Sequence, residues 1–126
     1  MPTKTVWWAV ANNFLSIISA YPNILTHKAL AEIIGTFTMI FIGGGSIILS
    51  ERHLIPAYCI PIAWGLTIAL MIVAMGQVSG AHFNPAVTLA FAVAKRLPLA
   101  QVWVYWGSQF IGGLAAIFLL EVLKKI

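Results

Sequence analysis

The stretch Ser79-Gly80-Ala81-His82-Phe83-Asn84-Pro85-Ala86-Val87-Thr88 interrupts an otherwise apolar chain with a glycine turn, a histidine and an Asn-Pro step. Pro85 suits the first position of a helix, and Asn84 before it suits the N-cap. The helix that follows, to about Ala94, has room for only ~15 Å, roughly half a hydrocarbon core. A helix ending inside a membrane must direct its free N–H groups to protein or to lumen water, never to lipid. The Asn84 side-chain oxygen can cap the helix, which leaves the amide NH₂ to donate to a water or hydroxyl oxygen. The helix adds about half a positive charge at the same point, so cations, hydronium included, are repelled where neutral solutes pass. The carbonyls of Gly80, Ala81, His82 and Phe83, freed by the non-helical loop, would line the approach as acceptors. In a soluble protein an isolated Asn-Pro step reads as a surface turn; the apolar flanks here favour the membrane reading.

Two further polar groups belong to this chemistry. Glu32 is the one charge inside the first apolar run, and a carboxylate there needs a partner. His82 is the candidate, with a proton relay as the alternative role for such a pair. Gln109 stands inside the last apolar run, its plainest reading being a hydrogen bond between helices. No catalytic arrangement is found: the chain has no aspartate, its glutamates are scattered, and no serine stands beside a histidine in a plausible elbow. An enzyme is not expected, and neither a metal nor any other cofactor.

The elements that must position these groups are apolar helices. Three spans are expected, at about 29–50, 56–78 and 99–120, with the re-entrant loop and half-helix at about 79–94. The fold class is therefore an all-α membrane protein of three transmembrane helices and one half-helix. In the first span Glu32, Gly35, Thr36, Met39, Gly43 and Ser46 share one small, polar face, which should look toward other helices. Gly43-Gly44-Gly45 would let backbones approach closely. In the second span Pro61, Trp64, Ile68, Met71, Ile72 and Met75 form a bulky stripe, read as facing either the lumen or lipid. In the third, Tyr105, Ser108, Gln109, Gly112 and Ala116 share a small, polar face. Ahead of these, residues 1–26 read as an interfacial amphipathic helix anchored by Trp7 and Trp8 and ended by Pro22-Asn23; a helix packed beside the bundle is the alternative. No convincing secretory signal peptide is expected. Residues 27–126 form the unit with the half-helix.

Composition agrees: 61% of the 126 residues are hydrophobic and 8% charged, which excludes a disordered or ordinary soluble protein. The net charge of +4 does not point to nucleic acid, because the basic residues lie at the ends of apolar runs. Cys59 is alone, so no disulfide framework or metal cluster is expected. An integral, multi-pass membrane protein follows.

The run SGAHFNPAVTLAF resembles the first signature loop of the major intrinsic protein family, the aquaporins and glycerol facilitators. Ala31-Glu32-Ile33-Ile34-Gly35-Thr36-Phe37 resembles the family's first helix, Trp64-Gly65-Leu66-Thr67 its second, and Gln109-Phe110-Ile111-Gly112-Gly113 its third. The match covers about Ala29 to Leu120 and one of the two inverted repeats usual in the family. It implies that Asn84, Pro85 and Ala86 form the pore motif and that Glu32, His82 and Gln109 brace the loop. For the constriction it implies Trp64 from one repeat with Ile72, Ala81 and Val87 from another; Val87 departs from the family, which has an arginine at that position.

One half-helix cannot enclose a lumen, so the expected architecture is an inverted pair of two copies, extendable to a tetramer of pairs. With the family's orientation Lys4, Lys28, Lys95 and Arg96 lie on one side and Arg52, Lys124 and Lys125 on the other, almost no positive-inside bias. Dual topology fits this balance. The expected activity is passive passage of water or small neutral solutes such as glycerol. Pairing with a different second-half chain, a non-conducting accessory subunit and a fragment that inserts into full-length relatives are the alternatives.

Overall fold

The computed structural model describes residues 22–126. They form four helices: α1 (Pro22–Glu51), α2 (Cys59–Ser79), α3 (Pro85–Val93) and α4 (Leu99–Lys124). The interfacial helix expected over residues 1–26 lies almost wholly outside the described residues. Its expected last residues belong to α1, which begins at Pro22 rather than at 29. The reason is local: proline is tolerated in a first helical turn, and nothing between Asn23 and Ala29 breaks a helix. α4 likewise runs past 120 to Lys124, while α2 starts at Cys59 because Pro56 and Ala57 carbonyls close a turn onto the Cys59 and Ile60 N–H groups.

α1, α2 and α4 are each long and apolar enough to cross a membrane. α1 is the common partner, with α4 and α2 packed against it and α3 against α4. The expected polar faces form the contacts. Glu32, Gly35, Thr36, Gly43 and Ser46 of α1 are buried, as are Tyr105, Ser108, Gln109, Gly112 and Ala116 of α4. A Cβ at Gly112 would run into the Ile33 carbonyl, so the α1 and α4 backbones touch there. Side chains that small are what allow membrane helices to pack where lipid supplies no hydrophobic drive.

The two ends of the bundle are tied. Lys28 Nζ donates to Gln101 Oε1 at 3.2 Å near the starts of α1 and α4, and Arg52 Nη2 donates to the Lys124 carbonyl at 2.5 Å beyond their ends. α1 and α4 therefore run parallel. α3 returns to the Lys28 end, where Ala92, Leu97, Val102 and Tyr105 form a small apolar core backed by Trp106. α3 thus enters and leaves on one side, as a re-entrant half-helix does. Outward, Leu66, Leu70, Val73, Trp103 and Phe118 are exposed, a surface suited to lipid rather than water.

Candidate functional site: the re-entrant loop and its groove

The loop between α2 and α3 is backbone under strain. Gly80 ends α2 at φ 89°, and Ala81 and Phe83 follow at φ 51° and 50°, the left-handed region that non-glycine residues avoid. Such conformations cost on the order of 1–3 kcal/mol each and persist only where the surroundings over-determine them. Here Glu32 does so. Its Oε1 accepts from Ser79 Oγ at 2.7 Å and from the His82 N–H at 3.0 Å. Its Oε2 accepts from the Phe83 N–H at 2.7 Å and from Gln109 Nε2 at 2.8 Å. Four donors saturate the two oxygens of a carboxylate, and Glu32 is fully buried.

Sequence reasoning paired Glu32 with His82; the contact is made through the His82 backbone, while its ring turns elsewhere. His82 Nδ1 lies 3.1 Å from Thr88 Oγ1. Thr88 Oγ1 also donates to the Asn84 carbonyl at 3.2 Å and accepts from Gln109 Nε2 at 2.9 Å. His82 Nδ1 and Thr88 Oγ1 thus share a hydrogen bond whose direction is set by the imidazole tautomer. The imidazole sits between Phe91 and Tyr105, with ring centroids at 4.5 and 4.8 Å. Tyr105 Oη donates to the Ser79 carbonyl at 2.5 Å, and Trp106 Nε1 to the Pro85 carbonyl at 3.1 Å. Each loose end of the loop is thereby met by α1 or α4.

Packing completes the seat. Phe83 is buried with its ring over Gly35, where a Cβ would collide with it. The Trp64 indole lies in the same way over Gly43. Both glycines belong to the face expected to look inward, and each makes room for one aromatic ring.

Asn84 is the N-cap of α3: its backbone is extended, its Oδ1 accepts from the Ala86 N–H at 2.8 Å, and Pro85 follows. The side chain is exposed at a groove of about 510 Å³ whose lining includes Thr36, Trp64, Phe83, Asn84, Pro85 and Gln109, with Phe110, Leu114 and Ile117 along one wall. Of the residues singled out in the sequence, the groove brings Asn84, Pro85, Phe83, Gln109 and Trp64 together with Thr36 and Met39 of the inward face. Ala81 and His82 are buried outside its lining, and Gly80, Ile72, Ala86 and Val87 are exposed outside it. Along the α2 stripe Trp64, Ile68, Met71 and Met75 are half-buried, whereas Pro61 and Ile72 are exposed. Ser79, Thr88 and Trp106 were not singled out for roles, although Thr88 stands one helical turn after Asn84, the position that faces the cap.

Three membrane-length apolar helices around a re-entrant half-helix define an integral, multi-pass, all-α membrane protein. Residues 20–126 match the family described as major intrinsic protein, and the chain belongs to that family. It is 41% identical over 108 residues to aquaporin NIP2-1 of Zea mays, covering 84% of this chain and 37% of that protein. It is 43% identical over 98 residues to aquaporin NIP3-1 of Arabidopsis thaliana, covering 76% of this chain and 30% of that protein. The chain thus spans well under half the length of the curated relatives it matches.

Proposed function

We propose that the chain builds half the wall of a passive, bidirectional channel for water and small neutral solutes such as glycerol, completed by a second copy in opposite orientation. The observation that carries this reading is the placement of Asn84. Its oxygen is committed to the α3 cap while its side chain is exposed at an open groove. A group so held offers its amide to a passing oxygen, beside a helix N-terminus that disfavours cations. Membership of a family whose matched relatives are named aquaporins supports the same reading.

The groove is open on one side, so its polar lining requires cover other than lipid. A twofold axis in the membrane plane brings two half-helices together N-terminus to N-terminus. Trp64 of one copy then forms the constriction with Ile72, Ala81 and Val87 of the other, while Glu32, His82 and Gln109 hold each loop. Two features support this pairing: Ile72 and Val87 are exposed, and among the described residues Lys28, Lys95 and Arg96 lie at one end of the bundle and Arg52, Lys124 and Lys125 at the other.

The test is stopped-flow shrinkage of proteoliposomes holding the purified chain, with water, glycerol and proton readouts, beside a C-terminal tag mapped in the membrane. Glycerol and water flux without proton leak, and a tag found on both sides, are expected. Flux only on co-expression with a different second-half chain would replace the self-pair. No flux under any pairing would leave an accessory subunit.

A further inference from the structure

We propose that Thr36 and Gln109 form a seat for one water-sized group that both donates and accepts hydrogen bonds, on the groove floor near Asn84. Thr36 Oγ1 and Gln109 Oε1 are the two buried side-chain polar atoms that find no hydrogen-bond partner among the described residues. Their residues are 3% and 2% exposed, and both line the groove that holds Asn84. Native structures rarely leave such atoms unpaired.

Thr36 and Gln109 both adjoin the rung that also holds the loop. Thr36 stands one turn beyond Glu32 on α1, and Gln109 is tied to Glu32 through its Nε2. The amide NH₂ of Gln109 is spent on Glu32 and Thr88, and its Oε1 is an acceptor only. Thr36 Oγ1 can donate or accept. Opposite Thr36, one turn on from Gln109, stands Gly113, where an added Cβ would lie 3.2 Å from Ile40 Cδ1 and 3.9 Å from the Thr36 methyl. Phe110, Leu114 and Ile117 close the other side with hydrocarbon, which offers neither oxygen a partner. Lipid tails cannot satisfy the pair. A molecule with one O–H for Gln109 and a second polar contact for Thr36 can, and a buried water commonly makes about three such bonds.

Two sources carry this chemistry: a resident water, or the hydroxyl of a permeating polyol. The seat itself needs no conduction; only its exchange with permeant rests on the channel reading above. The test uses the full chain crystallised from lipidic mesophase, with and without glycerol, as wild type, Thr36→Val and Thr36→Ser. A density peak within hydrogen-bond distance of both Thr36 Oγ1 and Gln109 Oε1 is expected, kept in Thr36→Ser and lost in Thr36→Val. An isolated peak indifferent to glycerol identifies water. A peak that grows into a carbon chain in glycerol identifies the polyol, and Thr36→Val then lowers glycerol flux relative to water flux in proteoliposomes. Either result supports the seat. A side chain of a second copy bonded to both oxygens, or no partner on either, overturns it. Absence of flux in every variant would count against the channel alone, since the density decides the seat.

Discussion

Glu32 and Phe83 meet at 2.7 Å, carboxylate to backbone N–H, across 51 residues of sequence. The same carboxylate takes the preceding N–H of His82. A side chain on one helix thereby supplies the acceptors that a helical turn would have supplied, and a strained loop becomes a fixed one.

Glu32→Ala removes four hydrogen bonds at once and leaves the N–H groups of His82 and Phe83 buried without acceptors. An orphaned buried donor costs about 1–3 kcal/mol, so a loss of roughly 3 kcal/mol or more is expected. Thermal unfolding in detergent should show a large drop in Tm and loss of assembled protein. Wild-type Tm and wild-type flux would remove Glu32 from the role of loop brace.

Gly35→Ala should act through Phe83. The added methyl collides with the Phe83 ring, and overpacking of this kind costs about 1–3 kcal/mol. Gly35→Ala combined with Phe83→Ala should lose less stability than the two single changes summed. Strict additivity in a double-mutant cycle would place the ring elsewhere.

Asn84→Asp separates folding from selection. Asp keeps the capping oxygen toward the Ala86 N–H, so stability should change by less than about 1 kcal/mol. The amide donor is gone, however, and a carboxylate faces the groove. Proton leak, followed with a pH-sensitive dye in liposomes, should rise while Tm holds. An unchanged leak and unchanged solute flux would mean that Asn84 does not face the conduction path.

Trp64 and Gly43 should give effects of opposite sign. Trp64→Ala removes an indole from the groove lining and should raise permeability and widen the range of solutes. Gly43→Ala inserts a methyl where the indole rests and should push the ring toward the groove, lowering glycerol flux more than water flux. In the Trp64→Ala background Gly43→Ala should have little further effect. Reduced flux in Trp64→Ala would remove this residue from the constriction.

The helical faces of α1 and α4 were legible in the sequence because small and polar residues at helical spacing have few uses in a membrane besides contact between helices. The cap at Asn84 was legible for a similar reason, since Asn before Pro specifies a helix start from two adjacent residues. Less accessible were the partners of the loop. Ser79 and Thr88 are small hydroxyl residues common in membrane helices, and nothing in their spacing shows that one meets Glu32 and the other Gln109. Gly35 read as part of the inward face and Gly43 as a place of close approach, but which ring fills each notch depends on how α2 and the loop cross α1. The start of α1 was displaced because Pro22 suits both the end of one helix and the first turn of the next, and sequence alone gives those alternatives similar standing.

The ties of the loop also set an order of assembly. Glu32 precedes the loop in the chain, but Tyr105, Trp106 and Gln109 follow it. During synthesis Gly80 to Phe83 therefore emerge before the α4 groups that tie the loop exist. Until α4 enters the membrane, the Ser79 carbonyl lacks its phenol donor and the Pro85 carbonyl its indole donor, and the N–H groups of the left-handed residues have only Glu32 and the Ser79 hydroxyl as acceptors. The half-helix therefore gains its full set of ties only once the last helix is in place.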